Sequence, residues 1–209
     1  MGWFLATVLS IWAAVHGYVF WRLGTIPWVA AHVSHAALWG AAFAGWASYP
    51  LARILDSRGW QAVAWPLEYL AANWIGLMFL LFWALLLIEA VTLGGWLFAP
   101  HASSLRMWAV VAAGVLALTA LLQALRPPVV RDYEISLKGL PPERDGTLLV
   151  ALSDLHLGNY LGGAWLRRLL ARVNRMKPDL LVVVGDLVDG NVGRVEPLRD
   201  VLKDRRAPL

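Results

Sequence analysis

Residues 151–158 read Ala-Leu-Ser-Asp-Leu-His-Leu-Gly and follow directly on the apolar run Thr147-Leu-Leu-Val150. Thr147 to Ser153 has the length and unbroken apolar character of a buried strand. An Asp and a His two residues apart at its end, just before Gly158, amount to half of a metal site, because carboxylate and imidazole together suit divalent transition metals. In an extended stretch, residues i and i+2 point the same way. Asp154 and His156 are therefore expected to grip one ion while Leu155 turns into the core. Taken singly, Asp154 reads equally well as a helix or turn cap, and His156 as an ordinary loop histidine.

The sequence downstream supplies a partner. Trp165 to Met176 has helical periodicity, with Trp165, Leu166, Leu169, Leu170 and Val173 on one face and Arg167, Arg168, Arg172 and Arg175 outside it. Lys177-Pro178 ends that helix. Asp179 to Val184 is a second apolar strand, followed by Gly185-Asp-Leu-Val-Asp-Gly190. Strand, helix, strand at this spacing predicts a βαβ unit with parallel strands and a right-handed crossover. Both strands should be buried on two faces. Parallel strands align their carboxyl ends, where open α/β sheets place their sites. Asp186 should then converge on Asp154 and His156, with Gly185 and Gly190 letting the backbone turn tightly around the site. A further strand over Val129 to Leu140 and a final helix over Val195 to Arg205 are also expected.

Asp154-Leu-His156 followed by Gly185-Asp-Leu-Val-Asp189 resembles the first two motifs, DxH and GDxxD, of the calcineurin-like metallophosphoesterases, in the style of membrane-attached bacterial members. The resemblance covers about Val129 to Leu209. It implies that Asp154 and His156 bind a first metal, that Asp186 bridges two metals, and that Asp189 supports them by hydrogen bonding. It also implies two-metal hydrolysis of a phosphoryl group. Ligation by carboxylate and imidazole suits Mn, Fe or Zn better than Ca.

The family pattern continues with GNH(D/E), another histidine and GHxH. This sequence has no histidine after His156. Residues 127–209 are accordingly expected to be the front part of a phosphoesterase sandwich, a βαβ unit too small to cover both faces of its own sheet. Three ligands should hold at most one ion, weakly, and the 209 residues alone should be inactive.

Residues 1–126 are of another kind. Up to Gln123 the basic residues are Arg22, Arg53, Arg58 and Arg106, and the acids are Asp56, Glu68 and Glu89. A hydrocarbon core of ~30 Å needs about 20 mostly apolar helical residues. Four stretches qualify, from about Gly2 to Phe20, Trp28 to Leu51, Tyr69 to Ile88 (extending as far as Leu97) and Met107 to Leu125. Three spans are the fallback if the second stretch does not insert. Tryptophans near the segment ends, among them Trp3, Trp21, Trp28, Trp96 and Trp108, suit an interfacial belt. With four spans, Arg53, Arg58, Arg126, Arg131 and Lys138 share one side, against Arg22 and Arg106 on the other. That excess predicts a multi-pass protein of the cell (inner) membrane with its soluble part in the cytoplasm.

His16, His32, His35 and Glu89 fall inside the spans and are functional candidates on that ground. His32 and His35, three apart, should share a helix face fit for a metal or a proton relay. The alternative is neutral imidazoles hydrogen-bonding between helices. Gly40 to Gly45 reads as close helix packing.

The net charge of +4 comes from basic residues interleaved with acids, as in Lys203-Asp-Arg-Arg206, so no nucleic-acid partner is expected. Without cysteine there are no disulfides, thiolate metal sites or cysteine nucleophiles. The expected partners are the lipid bilayer and a phosphoester substrate, lipid-linked phosphates or pyrophosphates being attractive given the anchor. The competing reading is a non-catalytic membrane protein that carries a degenerate phosphoesterase remnant as an interaction module. A transporter built on His16, His32, His35 and Glu89 comes third.

Overall fold

The computed structural model describes residues 2–158, 161–188, 200 and 202–203. The chain divides into two compact units, Met1–Arg126 and Pro127–Leu209.

The first unit is helical: α1 (Gly2–Gly24), α2 (Pro27–His32), α3 (His35–Ser57), α4 (Gln61–Thr92) and α5 (Ala102–Ala124). By length and composition, α1, α4 and α5 are able to cross a membrane. α3 is as long as α1 and α5, but His35, the small residues of its middle, and Arg53 and Asp56 near its end make it less apolar. The bundle exposes many large apolar side chains, including Phe43, Phe79, Trp83, Trp108 and Leu116. In water so much apolar surface is a liability; in lipid it is the face turned to solvent.

The stretch expected as one span from Trp28 to Leu51 is two helices. Val33 and Ser34 are extended, and the Ser34 hydroxyl accepts from Ala37 N at 3.2 Å. Serine capping a helix start stabilises the break. His32 and His35 consequently belong to different helices, and the shared face inferred from their spacing does not exist. His32 instead lies with Nδ1 2.8 Å from Trp28 O.

The buried centre of this unit is made by Val19 and Phe20 of α1, Leu38 and Ala42 of α3, Met78, Leu81 and Leu85 of α4, and Ala113 of α5. Gly45 is where α3 admits the Trp74 indole of α4, since a Cβ there would overlap the ring. The Trp74 Nε1–H donates to His16 Nε2 at 2.9 Å, which leaves Nδ1 protonated and donating to Trp12 O at 2.9 Å. Buried His16 is thus a neutral imidazole joining α1 to α4.

Buried Glu89 of α4 meets two guanidiniums. Arg22 Nη2 of α1 lies 3.0 Å from Oε2, and Arg106 Nε of α5 lies 2.6 Å from Oε1. A second ion pair, Arg53 to Glu68 at 3.3 Å, ties α3 to α4. From sequence, Arg22 and Arg106 read as loop charges; both point inward instead.

Among the described residues, the second unit contains a 3₁₀ turn (Pro142–Arg144), β1 (Leu149–Ser153), α6 (Gly163–Met176) and β2 (Leu180–Val184). β1 and β2 are parallel, in register from Leu149↔Leu180 to Ser153↔Val184. The Asp179 side chain starts the pairing by accepting from Leu148 N at 2.8 Å. α6 packs its apolar stripe on the sheet, giving a core of Leu155, Leu157, Leu166, Leu169, Leu170, Val173 and Leu181, with Val150 and Leu152 against it.

Two expectations fail here. The strands are covered on one face by α6, so Leu149 and Val184 stand about half exposed rather than buried on both sides. Residues 129–137 form no strand, and Val129, Tyr133 and Ile135 are at least 74% exposed. An alternating sequence becomes a strand only where a neighbour accepts its backbone hydrogen bonds and buries one face, and no described strand pairs with it. The helix expected over Val195 to Arg205 falls almost wholly outside the described residues.

Candidate metal centre

The register of β1 and β2 brings Ser153 level with Val184, so Asp154 and Gly185 leave the sheet side by side. The pairing continues past the strand ends. His156 N donates to Asp186 O and Leu157 N to Leu187 O, both at 2.9 Å. Leu155 and Leu157 are buried on either side of His156, so the chain alternates between core anchors and exposed polar side chains.

This places one ligand atom each from Asp154, His156 and Asp186 within 4.8 Å of one another, all on exposed residues. The convergence has a different local cause from the one inferred. Asp154 and His156 are not extended: their φ values are +51° and +43°. Left-handed backbone is costly for residues with a Cβ, and such strain concentrates at functional sites. No feature of the sequence announces it, because Asp-Leu-His carries no glycine.

Two neighbours shape the site. The Ser153 hydroxyl donates to Asp154 Oδ2. Gly185 has φ +78°, and a Cβ there would lie 3.3 Å from Asp154 Oδ1 and 3.6 Å from Ser153 Oγ. Ser153 was missed as a site residue, since serine after a strand more often only ends it. Asp189 and Gly190 lie outside the described residues.

Chemically the donor set is two carboxylates and an imidazole. Two carboxylates this close repel each other unless a cation lies between them. Mixed oxygen and nitrogen donors fit a borderline divalent ion such as Mn, Fe or Zn. The residues present therefore fit a metal.

Among curated proteins, a zebrafish (Danio rerio) protein named transmembrane protein with metallophosphoesterase domain is 42% identical over 101 residues, 48% of this chain and 23% of that protein. The bovine (Bos taurus) protein of the same name is 37% identical over 101 residues, 48% of this chain and 21% of its own length. An uncharacterized metallophosphoesterase of Campylobacter jejuni is 37% identical over 68 residues, 32% of this chain and 17% of that protein. The chain thus spans less than a quarter of the length of each of these three relatives. A matched stretch of 101 residues is longer than the whole second unit, so the likeness to the two transmembrane proteins takes in part of the helical unit as well. No family model and no solved structure matches the chain.

Proposed function

We propose that the chain is the membrane-anchored front part of a metal-dependent phosphoesterase of the calcineurin-like kind, one that hydrolyses phosphate esters or pyrophosphates, lipid-linked ones included. The observation that carries this reading is the meeting of Asp154, His156 and Asp186 at the ends of two adjacent parallel strands. Asp154, His156 and Asp186 would hold the metal. A divalent metal bound there would supply Lewis acidity toward a phosphoryl group. The chain's own part is to hold those ligands still: Ser153 fixes one oxygen of Asp154, and Gly185 leaves room for the other. Asp189 and Gly190 have supporting roles.

The open face of the sheet, with half-exposed Leu149 and Val184, supports reading the βαβ unit as the beginning of an α/β sandwich. Lacking any histidine after His156, the 209 residues hold at most one ion, weakly, and are inactive by themselves. The second reading is a phosphoesterase remnant serving as an interaction module.

In the membrane, α1, α3, α4 and α5 are four spans. Arg53, Arg58 and Arg126 then share the cytoplasmic side. Arg22 and Arg106, on the far side, are drawn in by Glu89.

The test is hydrolysis of an aryl phosphodiester with Mn²⁺ by the purified 209 residues and by a chain extended through GNH and GHxH motifs. Activity in the extended chain alone, lost in Asp186→Asn, is expected. Absence of activity in both favours the remnant; activity in the short chain refutes the stated ligand requirement.

A further inference from the structure

We propose that Arg22 and Arg106 form a binding site for a phosphate-bearing anion at one end of the helical bundle. Arg22 lies near the end of α1, Glu89 near the end of α4, and Arg106 in the second turn of α5. At 1.5 Å per residue, all three sit within about one turn, ~5–6 Å, of their helix ends. In a chain whose helices cross a bilayer, that is the depth of the lipid headgroups.

The cluster does not balance itself. Glu89 is one carboxylate shared between two guanidiniums, so one positive charge is left over on groups only 8–14% exposed. An uncompensated charge at this depth is unfavourable, and an anion that comes from outside relieves it. The donors also outnumber their acceptors. Among the described residues, Arg106 Nη1 reaches only the Thr25 hydroxyl, at 3.4 Å, and Arg22 Nε is buried without a hydrogen bond. The Arg22 guanidinium lies over Trp21, 4.0 Å from the ring centroid. The Gly94–Gly95 turn leaves Arg106 its space, since a Cβ at Gly95 would come within 3.1 Å of Nη2. Arginine is the side chain best suited to phosphate oxygens.

The phosphate belongs either to an anionic lipid headgroup or to a free ion. Thermal unfolding of the whole chain in a non-ionic detergent separates the two. Phosphatidylglycerol added to the micelles, or inorganic phosphate added to the buffer, should raise the midpoint; a rise with lipid alone assigns the headgroup, and a rise with both assigns free phosphate too. Arg22→Gln keeps a balanced Glu89–Arg106 pair, so it should fold and lose the rise. Glu89→Gln leaves both guanidiniums uncompensated and should enlarge the rise. An unchanged wild-type midpoint with either addition, or an undiminished rise in Arg22→Gln, overturns the proposal.

Discussion

The backbone N–H of His156 donates to the backbone carbonyl of Asp186 at 2.9 Å. Two loops that leave different strands are thereby locked together at the point where their side chains are needed. The next bond, Leu157 N to Leu187 O, is also 2.9 Å, and buried Leu157 holds both loops to the core. Site geometry is therefore a continuation of the parallel pairing rather than a separate construction.

Gly185 is the position with least tolerance in this arrangement. Its φ of +78° costs about 1–2 kcal/mol for any residue with a Cβ. Gly185→Ala also places a methyl against Asp154 Oδ1. A lower unfolding midpoint together with weaker Mn²⁺ binding is expected, measured by differential scanning fluorimetry with and without the ion.

Removing one negative charge should have the opposite effect on the metal-free fold. Asp154→Asn keeps a residue tolerant of left-handed backbone and ends the repulsion toward Asp186. The metal-free midpoint should rise by a few degrees, on the order of 1 kcal/mol, while the increase produced by Mn²⁺ disappears. A midpoint that still climbs with Mn²⁺ in this variant removes Asp154 from the ligand set.

How far these features could be read from residues alone differs from place to place. The β1–α6–β2 order was legible because each element has its own periodicity: unbroken apolar runs for the strands, a stripe from Leu166 to Val173 for the helix. The convergence of Asp154, His156 and Asp186 followed from parallel strand ends. The left-handed backbone of Asp154 and His156 did not, since no glycine marks it. Val129 to Leu140 alternates like a strand, yet a strand depends on a neighbour that local sequence does not contain. The Trp28 to Leu51 stretch looked continuous because hydropathy averages over Ser34, whose capping hydroxyl splits it. Arg22 and Arg106 were misplaced in loops because their partner, Glu89, is distant in sequence.

Within the second unit, α6 is held by a small core, so single deletions there should be costly. Leu170 is 1% exposed. Leu170→Ala is expected to destabilise the unit by about 2–5 kcal/mol. Amide hydrogen exchange should show β1, β2 and α6 losing protection together.

In the helical unit, Gly45 controls the approach of Trp74. Gly45→Ala forces the indole aside, breaks its hydrogen bond to His16, and should cost about 1–3 kcal/mol by overpacking. Tryptophan fluorescence during thermal unfolding in detergent will register the change. A midpoint equal to that of the unsubstituted chain contradicts the close approach of α3 and α4 at this residue.

The most direct test of the metal centre is electron paramagnetic resonance of Mn²⁺ titrated into the purified chain, which reports free ion by its sharp aqueous signal. One weak site per chain is expected for the unsubstituted protein, with the signal returning to that of free Mn²⁺ in Asp186→Asn and in His156→Ala. Binding that persists unchanged in both variants would show that Asp154, His156 and Asp186 do not form the metal centre.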